Sequence, residues 1–151
     1  MDLIAIRRQP NRRAAWAALA LIGAGLQGCA EKPPAPPVQH ARLFATDFEG
    51  GAKSCIVPKL KLAAGRTSRV AMKVGNDGGW CGIAVARNAR PYAVGLLEQP
   101  PTHGKVYIHP VGDDTRIDYT PDLGFSGSDS FVVKLLPGEP EVRVSVTVTP
   151  K

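Results

Sequence analysis

Residues 141–149 read EVRVSVTVT: Val142, Val144, Val146 and Val148 occupy alternate positions, with Glu141, Arg143, Ser145, Thr147 and Thr149 between them. A strand sends successive side chains to opposite faces, so this spacing makes one apolar and one wet face, whereas a helical period would scatter the valines around the axis. The same alternation recurs upstream. Val70, Met72 and Val74 alternate with Arg69, Ala71 and Lys73, and Val106 and Ile108 alternate with Lys105, Tyr107 and His109. Faces of this kind belong to antiparallel sheets with one side on a core. Between them lie turn residues, Gly75-Asn76-Asp77-Gly78-Gly79 and Pro137-Gly138-Glu139-Pro140, which supply the flexible or pre-bent backbone that reversals need. The expected strands are 55–62, 66–74, 80–86, 93–97, 105–109, 116–120, 130–136 and 141–149. Seven or eight short strands so spaced predict an all-β, antiparallel β-sandwich.

Residues 100–149 also carry a resemblance. Pro101-Thr102-His103-Gly104-Lys105-Val106, then Asp118-Tyr119-Thr120-Pro121, then Gly124-Phe125-Ser126-Gly127-Ser128-Asp129-Ser130-Phe131 resemble the bacterial immunoglobulin-like and cadherin-like repeats of cell-surface proteins. The resemblance covers about a third of the chain and implies an immunoglobulin-like sandwich without naming a function. Its residues have physical roles of their own: Gly127 can take a positive φ, Asp129 can bond turn amides, and Tyr119, Phe125 and Phe131 can fill a core. Residues 52–99 do not match the family visibly, and their strand order stays open.

The other end of the chain reads differently. Arg7, Arg8, Arg12 and Arg13 precede the apolar run Ala14–Leu26, the layout of a secretory signal, and the run is shorter than the ~20 residues a spanning helix needs. Leu26-Gln27-Gly28-Cys29 resembles the lipobox of bacterial lipoproteins, with Gln27 bulkier than the usual residue. The resemblance implies that Cys29 is the lipidated N-terminus of the mature chain, because two or more acyl chains hold a protein on a membrane durably. Ala30 is not the aspartate of inner-membrane retention, so the expected location is the outer membrane. The paired arginines also allow a twin-arginine export signal, though Ala14-Ala15-Trp16 lacks its usual hydrophobic pair. EKPPAPPV, residues 31–38, cannot form a helix or a central strand and reads as an extended rod of ~3 Å per residue, or else as a proline-rich ligand. The expected organisation is a signal helix over 1–28, a lipidated N-terminus and Pro-rich linker over 29–50, and the sandwich over 51–151, with the region from about Ala52 folding by itself.

The 151 residues carry a formal charge of +6, and losing four arginines and one aspartate with the first 28 residues leaves +3, spread along the chain. This balance gives no footprint for nucleic acid. Of three cysteines, Cys29 is assigned to lipid, and Cys55 and Cys81 form the expected disulfide of an oxidising compartment. Closing that loop stabilises by ~3.5 kcal/mol in the chain-entropy model. A reactive thiol would want a neighbouring histidine or a C-x-x-C spacing, and neither is present. No nucleophile elbow, carboxylate pair or metal helix stands in the chain. His40, His103 and His109 are scattered and read as solvent-facing; His103 and His109 as a metal pair is the sharper alternative. Asp113, Asp114, Asp118, Asp122 and Asp129 would suit Ca²⁺ by number, but turn capping explains them with less. The expectation is therefore a non-catalytic, lipid-anchored cell-envelope binding or structural module without a cofactor. Its partner would be the membrane through the anchor, with an envelope protein, peptidoglycan or a polysaccharide at the domain. The alternative is an accessory subunit of an envelope secretion or assembly complex, joined by edge-strand pairing.

Overall fold

The computed structural model of the protein describes residues 41–151. Cys29, His40, the signal segment and EKPPAPPV lie outside the described residues. The first element among the described residues is a 3-10 turn, Ala45–Phe48, followed by eight strands: β1 Cys55–Ile56, β2 Thr67–Gly75, β3 Cys81–Val85, β4 Val94–Gln99, β5 Gly104–Val111, β6 Asp114–Pro121, β7 Gly127–Leu136 and β8 Glu141–Thr149. They assemble into a five-stranded sheet, β1-β2-β8-β7-β4, and a three-stranded sheet, β3-β6-β5. The four valines of β8 are buried, together with Val70, Met72 and Val74 of β2 and Phe131, Val133 and Leu135 of β7. They form one core with Cys81, Ile83, Ile117 and Tyr119 of the smaller sheet. The described residues thus form an all-β, immunoglobulin-like sandwich of eight strands. Among the described residues no helix is long and apolar enough to cross a membrane.

Three features differ from expectation. The strand expected over 55–62 stops at Ile56, because Pro58 has no N–H to give to a ladder. The chain beyond it leaves the sheet and lays Leu60 and Leu62 against the core as loop residues. Secondly, β2 and β8 run parallel, from Thr67↔Glu141 to Gly75↔Thr149; the other strand pairs are antiparallel. No hairpin can join parallel neighbours, and here every intervening strand lies between them in the chain. Thirdly, residues 41–50, which composition places with the linker, are held on the smaller sheet. Trp80 Nε1 donates to Glu49 O at 2.9 Å, Trp80 N to Gly50 O at 3.0 Å and Ala41 N to Asp113 Oδ1 at 2.9 Å.

Candidate binding site

Cys55 and Cys81 are joined, with Cα atoms 5.3 Å apart. Cys81 points into the core at 0 % exposure, as its alternation with Ile83 and Val85 requires, while Cys55 sits on the exposed strand β1. The bond ties an edge of one sheet to an edge of the other.

The aspartates go to separate tasks. Asp129 is buried and accepts from the amides of Thr102 at 2.9 Å, His103 at 3.0 Å and Ser130 at 2.8 Å, and from the Tyr119 hydroxyl at 2.9 Å. Burial alone would raise its pKa, but these bonds outweigh it and hold the carboxyl below its ordinary value. Burial, and then the hydrogen bond to this carboxylate, push the Tyr119 phenol well above its ordinary range. Gly127 takes φ 140° at the start of the same strand, the left-handed side that its type permits. Asp118 is no turn cap: it lies mid-strand on the outer face of β6. His109 Nε2 stands 2.9 Å from its Oδ2, and Arg116 Nε donates to the same carboxylate at 2.9 Å. Arg116 also lies over the Trp80 ring, 3.9 Å from its centroid, and donates to Asp47 O. His109 is therefore committed to a carboxylate and stacks on Tyr107, whereas exposed His103 stacks on Phe125. Among the described residues no three His, Cys, Asp or Glu side chains form a metal-ligand cluster. The outer face of the smaller sheet is thus a clamp that grips residues 47–50.

A concave feature lies elsewhere, at one end of the sandwich. There the segment 59–64, the end of β3 with the turn after it, Asp114, and the β7–β8 turn surround a cleft of about 750 Å³. One wall is closed by Gly65 N donating to Gly138 O at 2.7 Å, and Tyr92 is pinned by its amide to Thr115 Oγ1 at 2.8 Å. Leu60, Leu62, Val85 and Pro140 give the lining an aliphatic character, and Lys59, Lys61 and Arg87 line it too. Burial raises the Tyr92 phenol, and the positive charge of Arg87 opposes that rise. Arg87 opens a turn closed by mutual backbone bonds with Arg90, in which Asn88 has φ 53° and Ala89 φ 55°. Asparagine tolerates this region, while alanine does so at a cost of ~1–2 kcal/mol.

Of the cleft residues the sequence singles out Asp114, as a turn cap or calcium candidate, and the turn residues Pro137, Gly138 and Pro140, but it marks none of them as lining a binding site. Lys59-Leu60-Lys61-Leu62 reads as the end of the expected strand 55–62 and Arg87-Asn88-Ala89-Arg90 as the connection after the expected strand 80–86, and only the fold brings them to one opening. No family model matches the chain, and no curated protein matches it.

Proposed function

We propose that the chain is a lipid-anchored binding module of the bacterial cell envelope, held on the outer membrane through Cys29 and performing no chemistry of its own. The observation that supports this reading best is the cleft, whose aliphatic lining and three cations suit capture of a ligand. The polar groups with the closest geometry, Asp118 with Arg116 and His109, are spent on one another and on residues 47–50. The leader and the lipobox-like Leu26-Gln27-Gly28-Cys29 support the anchor, and the Pro-rich segment would hold the domain away from the lipid.

A second reading is favoured by a different place. Strand β4 closes the larger sheet at an open edge and exposes Val94, Leu96 and Leu97, a template on which another chain could add a strand. Photo-crosslinking in intact cells separates the two. A probe at Lys61 is expected to trap an envelope component, and trapping only from a probe at Leu96 would replace the binding module by the accessory subunit. Cys29→Ser is expected to leave the membrane fraction. An unchanged distribution, with no lipid mass on the wild-type N-terminal peptide, would remove the anchor.

A further inference from the structure

We propose that the cleft at the end of the sandwich takes an anionic amphiphile, a ligand with an aliphatic body and a phosphate- or carboxylate-type head. The proposal deepens the binding-module reading and rests on it.

The body is specified by the lining. Leu60, Leu62, Val85 and Pro140 are aliphatic or cyclic, and Tyr92 is the one aromatic ring in the wall. Aliphatic surface gains ~25 cal/mol per Å² removed from water with no need of matched hydrogen bonds. A sugar or a nucleobase would need stacking rings and convergent polar partners, and the lining offers little of either. The size is right for a small ligand, since such sites span about 300–1,000 Å³.

The head is specified by charge. Lys59, Lys61 and Arg87 stand against Asp114 as the single acid of the lining. Among the described residues none of these three cations forms an ion pair. Cations left unneutralised at the opening of an apolar cleft attract a negative head and repel a positive one. The backbone at Arg87 is also fixed, because its turn is closed by paired backbone bonds and keeps Ala89 in a conformation that alanine avoids. Backbone outliers of this kind persist where the surroundings impose them and gather at ligand clamps.

The test uses the full chain carrying Cys29→Ser, titrated calorimetrically with octyl phosphate, octyltrimethylammonium and inorganic phosphate below micellar concentrations. Octyl phosphate is expected to bind saturably at one site, with the other two at least tenfold weaker. Combined Lys61→Gln and Arg87→Gln should weaken it about tenfold, and added salt should weaken it further. Both side chains are exposed, so the variant should melt like the parent. A second arm measures partition onto phosphatidylcholine vesicles with and without phosphatidylglycerol. Partition that needs phosphatidylglycerol and is lost in the double variant assigns the ligand to a bilayer lipid. Octyl phosphate binding without such partition assigns it to a free amphiphile, and either result upholds the proposal. Octyl phosphate bound no better than inorganic phosphate or the ammonium, or bound equally by the double variant, overturns it. If the Lys61 probe still crosslinks in cells after that outcome, the binding module stands with another ligand; if that probe also traps nothing, the binding reading falls as well.

Discussion

Asp129 shows how much a single side chain organises. Its carboxylate collects three amides and a phenol, fastening the chain before β5 to the start of β7 and to the middle of β6. Because its folded pKa lies below the ordinary value, the associated stability is fully present above the unfolded pKa of about 4 and disappears as pH falls through the folded one. Urea midpoints for wild type and Asp129→Asn should therefore differ at pH 7 by about 2 kcal/mol, the scale of hydrogen bonds to a charged group, and converge near pH 2. A constant difference across that range would disprove the account. Asp129, Gly127 and Tyr119 were legible in the sequence because their roles are local to a recognisable motif. The partnership of Asp118 with Arg116 and His109, and of Arg116 with Trp80, was not, since it joins β5, β6 and the residue before β3, whose registers no local pattern specifies.

Strands were legible wherever one face is wet, because alternation then survives; β2, β5, β6 and β8 all lie within a few residues of their expected places. The parallel sense of β2 and β8 left no trace, as a strand alternates identically whichever way its neighbour runs. Two predictions concern how strands meet. Gly82 on β3 faces Asp118 on β6, and a Cβ there would come 2.5 Å from Asp118 Oδ1 and 3.1 Å from the Trp80 ring. Gly82→Ala should cost about 2 kcal/mol, as crowding in packed sites does, and an unchanged thermal midpoint would show that the strands yield freely. The bridge from β1 to β3 closes a span of 26 residues. Reduction should lower stability by about 3.5 kcal/mol, measured as the shift in denaturant midpoint with and without reductant. Peptide mapping that finds both thiols free in protein taken from its native cells would sink that expectation.

For the whole molecule, the domain begins earlier than its composition suggests. Residues 41–50 show no strand alternation, yet they satisfy the indole N–H and the backbone N–H of Trp80 and one arm of Arg116. A fragment starting at Ala52 should be less stable than one starting at Ala41 by about 3 kcal/mol, about 1 kcal/mol for each lost bond. Equal urea midpoints for the two fragments would show that the segment only rests there. The cleft was illegible for a related reason: its walls come from segments around 59, 87 and 138, and nothing within any of them says that the others are near. The parallel pairing also governs when the protein can fold. Strand β8 lies between β2 and β7, and its partners on β2 precede it by about 74 residues. A chain synthesised from its N-terminus delivers the middle of its larger sheet last, so β2 and β7 have no shared neighbour until the final strand emerges. Contacts so distant in sequence make folding slow, and exposed apolar strands invite aggregation meanwhile. A ribosome that stops short of residue 141 leaves a product with no centre to its sheet.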